Sequence, residues 1–296
     1  MPRAADSLRR LLEQPGFLVM PCCFDALSAR LIERAGFPLT FMSGFAVSAA
    51  RLGLPDTGLI SYGEMIDQGR SICDAVDIPV IGDADTGYGN PLNVKRTIGG
   101  YARAGFACAM IEDQVAPKRC GHTRGKQVVE RREALVRMRA AVDARDALRR
   151  EGGDLLILAR TDARATHGLD EAIERAKRFV DLGADIAFVE APEDAGELQR
   201  IGESVPGPKL VNLVEDGDTP LLPPAELEAL GFKIAAHPLT LLSAAAHAMQ
   251  EALASLSDGR PFEARLPFAE LQALVGFPDY DAQLASYALP AAEDDD

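Results

Sequence analysis

The sequence predicts a (β/α)8 barrel, and three observations predict it. Eight short, almost wholly apolar runs recur along the 296 residues; helix-periodic segments separate them; and a polar or charged residue closes nearly every run. Near-continuous apolar strands suit a sheet covered on both faces, and strands alternating with helices imply parallel βαβ crossovers. Eight such units in this length make a closed barrel, with a doubly wound open sheet as the alternative.

The strand runs are, in order, FLVMPCC (17–23), LTFMS (39–43), PVIGDAD (79–85), CAMIED (108–113), LLILART (155–161), IAFVEA (186–191), KLVNLV (209–214) and KIAAHP (233–238). Segments such as GEMIDQGRSICDAV, NVKRTIGGYARAG, RREALVRMRAAVDARDALRR and LDEAIERAKRFVDLG between them carry helical periodicity. Prolines and glycines are spread out and mark no linker, so a single barrel domain over 1–296 is expected. A helical segment from about residue 240 and a disordered acidic tail, AAEDDD (291–296), would close it.

Composition removes several function classes. A net charge of -14 and a pI near 4.8 argue against nucleic-acid binding, which needs a basic surface. No apolar run approaches the ~20 residues of a spanning helix, so no membrane partner is expected. MPRAADSLRRLLEQPGF has no long apolar core before a small-residue cleavage site, which favours a cytoplasmic location. The five cysteines form no C-x-x-C pair and are odd in number, so they are neither a disulfide framework nor a zinc site. Cys22, Cys23, Cys73 and Cys108 read as buried small hydrophobes. Cys22 and Cys23 face opposite sides of one strand and read as structural.

The chemistry collects at strand ends: Ser43, Asp83 and Asp85, Glu112 and Asp113, Arg160 and Asp162, Glu190, Asn212 and His237. In a closed barrel these ends share the face that carries active sites. Each alone reads as a helix cap or loop residue; the series reads as one site. Period-2 geometry would place the Asp83 and Asp85 carboxylates on one side of their strand, where they repel unless a cation lies between them or one is protonated. With Glu112 on the next strand and no His or Cys ligand pattern, the fitting cation is Mg2+, or Mn2+, retaining several waters. Arg160 suits bidentate binding of a carboxylate.

The loop PKRCGHTRGK (117–126) gathers Lys118, Arg119, Arg124 and Lys126 around Cys120 in an acidic chain. Cationic neighbours favour the thiolate, and such a thiol is a good proton donor to a carbanion. The loop's charges would hold a polyanionic substrate. Of the histidines, His167 reads as a helix-cap neighbour, His247 as a helix-face residue, and His237 as a packed side chain that could reach the pocket.

These residues carry a resemblance. SGFAVSAARLGLPDTG (43–58), DADTGYGN (83–90), IEDQ (111–114), KRCGH (118–122), ARTDA (159–163), FVEAP (188–192) and NLVEDGDTPL (212–221) resemble the isocitrate lyase/phosphoenolpyruvate mutase superfamily from about residue 5 to 285. KRCGH is similar to the lyase branch; mutases, phosphonopyruvate hydrolases and the oxaloacetate decarboxylase type lack it. The resemblance implies Mg2+ and a homotetramer of dimers that exchange the last helix. It implies that Asp83 and Asp85 hold the metal, with Glu112 nearby and Asp56 in the same cluster. Ser43 and Gly44 would bind the keto-acid carboxylate. Arg160 would bind substrate and help remove a hydroxyl proton, and Glu190 and Asn212 would support binding. Gly121 and His122 would line the pocket behind Cys120, with His122 also counted as catalytic, on a mobile lid.

Phe45, HPLT (237–240) with Thr240, and FVEAP are more similar to the 2,3-dimethylmalate lyase and petal death protein group than to 2-methylisocitrate lyases. Phe45 would fill space that a third substrate carboxylate needs, and simple core packing explains it nearly as well. The implied activity is Mg2+-dependent cleavage of a 2-hydroxy di- or tricarboxylate to pyruvate and a carboxylate. The alternatives are oxaloacetate hydrolysis to oxalate and acetate, phosphonate chemistry, and a silent dicarboxylate-binding barrel.

Overall fold

The computed structural model describes residues 4–121, 123 and 125–287, so the acidic tail lies outside the described residues. Contacts divide the chain into two compact units, Met1–Ala244 and Ala245–Asp296.

In the first unit every expected strand forms. The order is α1 (Ala4–Glu13), β1 (Leu18–Cys23), α2 (Ala26–Arg34), β2 (Thr40–Met42), α3 (Gly44–Val47) running into a π-helical turn (Ser48–Leu52), α4 (Tyr62–Cys73), β3 (Val80–Asp83), α5 (Pro91–Ala104), β4 (Cys108–Glu112) and α6 (Arg131–Arg150). There follow β5 (Leu156–Thr161), α7 (Ala163–His167), α8 (Leu169–Asp181), β6 (Ile186–Val189), α9 (Ala195–Ser204), β7 (Lys209–Asn212), α10 (Pro224–Ala229), β8 (Ile234–His237) and α11 (Thr240–Ser257), which runs across the boundary. All neighbouring strands are parallel, and β8 pairs with β1 to close the barrel.

Local chemistry sets the turns from strand to helix. Asp25, Ser61 and Asn90 each accept a backbone N–H in the first turn of α2, α4 and α5, and each completes a capping box. Pro91 opens α5 and Gly105 closes it in the left-handed region, at φ 98°.

Strand parity then divides the side chains. Met20, Cys22, Phe41, Ile81, Cys108, Met110, Leu156, Leu158, Ile186, Phe188, Leu210, Ile234 and Ala236 pack together inside the barrel. Their alternates, such as Val80, Ala109, Ile111, Ile157 and Ala159, pack outward in a second cluster with helix residues such as Ile98, Tyr101 and Met138. Helix α1 closes the N-terminal end: Ala5 and Leu8 join the interior cluster. The opposite end is left for chemistry.

The second unit holds the rest of α11, α12 (Phe268–Val275) and α13 (Phe277–Ala285). Its apolar side chains Met249, Leu253, Leu256, Phe268, Phe277 and Tyr280 are exposed. Among the described residues no helix is long and apolar enough to cross a membrane.

Because Leu8 is wholly buried against the barrel interior, Leu8→Ala is expected to destabilise the protein by about 2–5 kcal/mol. The shift in urea midpoint measures it, and an unchanged midpoint would show that α1 is not part of the core.

Candidate active site

The interior columns run on to the C-terminal end of the barrel, and the next inward position on five strands is polar: Asp83 after Ile81, Glu112 after Met110, Arg160 after Leu158, Glu190 after Phe188 and Asn212 after Leu210. The same parity turns Asp113 outward, where it pairs with Arg175 of α8 at 3.0 Å.

Asp83 is held from three sides. Its Oδ2 accepts the Gly44 N–H at 3.2 Å, its Oδ1 accepts the Asp85 N–H at 3.0 Å, and its carbonyl accepts the Tyr101 hydroxyl at 2.5 Å. Asp85 itself departs from the expectation. The strand ends at Asp83, and Asp85 sits in a turn at φ 49°, so period-2 geometry does not bring the two carboxylates together. The loop instead joins Asp85 to Asp56: Lys118 Nζ lies 2.7 Å from Asp56 Oδ2 and 2.9 Å from Asp85 Oδ1. The cation demanded by the clustered carboxylates is, in this structure, a lysine ammonium. Burial opposes its charge, yet Asp85, Asp83, Asp56 and Glu112 outweigh that and hold its pKa well above the ordinary lysine range.

Arg160 forms the second knot. Its Nε and Nη2 bind the two oxygens of Asp162 at 2.9 and 3.0 Å. Its Nη1 lies 3.1 Å from Glu190 Oε2 and its Nε 3.4 Å from Glu112 Oε2, and it rests over the Phe188 ring at 5.3 Å. The bidentate fork expected to take a substrate carboxylate is therefore filled by Asp162. Burial opposes the guanidinium charge, but Asp162, Glu190 and Glu112 hold it well above the usual arginine range. A guanidinium kept charged can orient a substrate and help remove its hydroxyl proton by stabilising the alkoxide, with a carboxylate taking the proton itself.

The 114–128 loop folds over these knots. Gln114 bridges Val128 at its base, and the Gln114 side-chain amide both donates to the Arg119 carbonyl (2.8 Å) and accepts the Arg119 N–H (2.9 Å). Lys126 binds the Gly121 carbonyl and lies 3.5 Å from Asp162. Gly121 packs so closely that a Cβ there would lie 2.5 Å from Arg160 Nη2 and 2.6 Å from Glu190 Cδ. Lys118 and Lys126, expected to hold a polyanionic substrate, instead bind the protein's own carboxylates and draw the loop down. Cys120, half-buried, faces the cavity beneath it.

Of the expected residues, Ser43, Phe45, Asp56, Asp83, Cys120, Gly121, Arg160 and Asn212 line one cavity at the barrel mouth. Gly44, Asp85, Glu112 and Glu190 support these walls through the contacts above, and Asn212 Nδ2 donates to Glu190 Oε1 at 3.3 Å. His122 lies outside the described residues. Thr240 does not join the site. It begins α11 with its hydroxyl on Glu215, and with His237 it lines a separate apolar recess, because β8 ends at His237 and the chain turns away. Sequence reading missed Lys118 as the partner of Asp56 and took Cys22 as structural; its inward parity, shared with Met20, places it in the cavity wall.

The cavity is polarised. Strands β3 to β6 bring Asp83, Glu112, Arg160 and Glu190 to the mouth. The segments after β7, β8 and β2 bring Val214, Pro238, Leu239 and Phe45, with Ser43 and Asn212 as uncharged polar groups; the segment after β2 also brings Asp56, which joins the charged side through Lys118. Burying a carboxylate against such a wall without a cation is strongly unfavourable.

The acidic half has room for a further cation by charge. Among the described residues, the buried carboxylates of Asp56, Asp83, Asp85, Glu112, Asp162 and Glu190 share three cations, Lys118, Arg160 and Lys126. Desolvation raises the pKa of Asp56, lifts Asp83 to about 6, and pushes Glu112 well above the carboxylate range. Asp56 Oδ1 and Glu112 Oε1 are buried with no hydrogen-bond partner among the described residues. No group of three or more His, Cys, Asp or Glu among the described residues is set to enclose a metal. A hard ion that keeps several waters fits that donor set, and a tightly caged one does not.

A closed eight-stranded parallel barrel with carboxylates, an arginine and a loop thiol gathered at its C-terminal mouth defines a barrel enzyme of the type that works on small anions. The chain belongs to the phosphoenolpyruvate phosphomutase family, whose model matches residues 8–257, within the isocitrate lyase/PEP mutase superfamily. It is 42% identical over 276 residues to the 2,3-dimethylmalate lyase of Eubacterium barkeri, covering 92% of this chain and 94% of that one. It is 37% identical over 282 residues to the 2-methylisocitrate lyase of Halalkalibacterium halodurans, covering 94% and 91%. Among solved structures, a 2,3-dimethylmalate lyase superposes with a TM-score of 0.90 at 39% identity, covering 100% of this chain and 98% of that one. An oxaloacetate acetylhydrolase in complex with 3,3-difluorooxalacetate gives 0.91 at 37%, covering 97% and 98%. A phosphonopyruvate hydrolase solved with oxalate and Mg2+ gives 0.84 at 27%, covering 96% and 99%.

A Cβ at Gly44 would sit 2.4 Å from Asp83 Oδ2. Gly44→Ala is therefore expected to displace that carboxylate and reduce turnover by about 10²-fold, with little change in the thermal midpoint. Wild-type turnover would show that Asp83 can move without consequence.

Proposed function

We propose that this protein is a Mg2+-dependent carbon–carbon lyase that cleaves a 2-hydroxy dicarboxylate of the 2,3-dimethylmalate type to pyruvate and propionate. The observation that carries the reading is the meeting of the Cys120 thiol with Arg160 and Asp83 at one cavity. The acidic half would hold Mg2+, or Mn2+, through Asp83, Asp85, Glu112 and Asp56, directly or through water. Bound there, the ion would supply Lewis-acid stabilisation of the C2 oxygen and of the emerging α-keto acid.

The chain's own groups divide the remaining work. Arg160, locked by Asp162 and Glu190, holds its positive charge beside the hydroxyl-bearing carbon. The hydroxyl proton passes to a carboxylate of that cluster. As the C2–C3 bond breaks, electrons move onto C3, and the Cys120 thiol donates its proton there. Ser43 and Gly44 bind the keto-acid carboxylate, Gly121 and Asn212 shape the pocket, and His122 belongs to the same loop. The apolar half, with Phe45, Val214 and Leu239, receives alkyl substituents and disfavours a third carboxylate. That supports 2,3-dimethylmalate over 2-methylisocitrate.

A second reading is oxaloacetate hydrolysis to oxalate and acetate, favoured by the fold likeness to the acetylhydrolase. In solution the chain is proposed to form a homotetramer of dimers exchanging their C-terminal helices; the exposed apolar side chains of the second unit support it.

Assays with 2,3-dimethylmalate, 2-methylisocitrate and oxaloacetate, with Mg2+ and with EDTA, decide among these. Pyruvate is expected from the first, falling to background with EDTA, and at least about tenfold less from the second. Oxalate from the third alone would replace the lyase by a hydrolase. Cys120→Ala is expected to lower kcat by about 10²–10⁴-fold while the affinity for oxalate is kept; unchanged turnover would remove Cys120 from the chemistry.

A further inference from the structure

Two buried arginines stand outside the cavity at the root of the 114–128 loop. Arg137, on α6, donates from Nη1 to the carbonyls of Glu112 and Gln114, both at 2.8 Å. Arg175, on α8, donates from Nη1 to the Val129 carbonyl at 2.8 Å and to Asp113 Oδ2 at 3.0 Å, and from Nε to Glu171 Oε1 at 2.7 Å. Neither arginine lines the cavity, and the chemistry proposed above does not use them.

The partner of Arg175 connects directly to the site. Asp113 Oδ2 also accepts the Thr161 hydroxyl at 2.7 Å, and Oδ1 accepts the Asp162 N–H at 2.9 Å. Asp162 is the residue that grips Arg160 with both carboxylate oxygens. The loop's return strand is fastened at the same place: the Val129 N–H donates to the Asp113 carbonyl at 2.9 Å, and the Val115 N–H to the Gln127 carbonyl at 2.8 Å. One guanidinium thus binds the end of the Cys120 loop and the carboxylate that fixes the Arg160 clamp.

A buried ion pair is weak evidence for a role in stability, since a packed apolar replacement is often neutral. A rigid fork that spans two segments does something else: it sets their relative geometry. Misplacing a catalytic group by about 1 Å costs about 10²-fold in rate, so geometry at this junction bears on the reaction.

We propose that Arg175 and Asp113 are positioning residues that lock the root of the Cys120 loop to the end of β5, so that Cys120 and Arg160 are set in one frame. Its kinetic consequences rest on the lyase reading; the structural claim does not.

The test uses the full chain with Arg175→Met, and Asp113→Asn as the milder variant should the first not fold. Amide hydrogen exchange is read first. At Val115, Val129 and Asp162 it is expected to quicken at least about tenfold, while Leu158 inside β5 changes less than about twofold. Equal acceleration throughout the barrel would reduce Arg175 to a general stabiliser and overturn the proposal. The second readout is a cycle with Asp162→Asn on kcat/KM for pyruvate release. Each single change is expected to lose about 10²-fold, and the double change to lose little more than either alone. Multiplying losses would show that Arg175 does not act through Asp162 and would also overturn it. Should the wild type cleave none of the 2-hydroxy acids, the lyase reading fails, and the exchange measurement alone decides the positioning claim.

Discussion

The organisation of this protein depends on one electrostatic constraint: carboxylates gathered at the mouth of a barrel, in a place largely removed from water. Isolated buried charges of that sign are strongly unfavourable. The chain meets the constraint with three cations from two elements. Arg160 comes from the end of β5, and Lys118 and Lys126 from the loop after β4. The rest of the site follows from how those cations are held.

The loop explains why an acidic chain concentrates positive charge around one cysteine. Lys118 and Lys126 reach inward to Asp56, Asp85 and Asp162, which pulls the intervening segment over the cavity. Gly121 has no side chain because Arg160 and Glu190 occupy the space a Cβ would need. The thiol is thus held at the cavity by ion pairs within the protein itself. On the proposed function, the substrate would be recognised by the acidic side through a divalent ion and by the apolar side chains through shape.

That division gives a physical account of substrate class. The strands β3 to β6 bring most of the charge to one side of the mouth, joined by Asp56 from the segment after β2, and the segments after β7 and β8 bring the apolar side chains Val214, Pro238 and Leu239. A small 2-hydroxy acid with alkyl branches matches both halves. On the proposed function, a third substrate carboxylate would meet Phe45, Val214 and Leu239.

Much of this was legible in the sequence. The eight apolar runs became the eight strands, because period-2 burial on both faces of a parallel sheet leaves a strong one-dimensional signal. Asp83, Glu112, Arg160, Glu190 and Asn212 follow the inward parity of their strands, and a parity reading of Cys22 would have found it too. The tertiary structure alone decided the rest. Asp85 lies past its strand in a left-handed turn, so alternation no longer governs it. Lys118 meets Asp56 across 62 residues of chain, a pairing that only the closed barrel creates. Asp113 looks like a twin of Glu112 in sequence, yet one residue of pleat turns it outward to Arg175. Thr240 lies beyond the last strand, where the chain leaves the mouth. Local periodicity determines which way a strand residue points; which charges then meet is settled by closure of the sheet and the path of the loops.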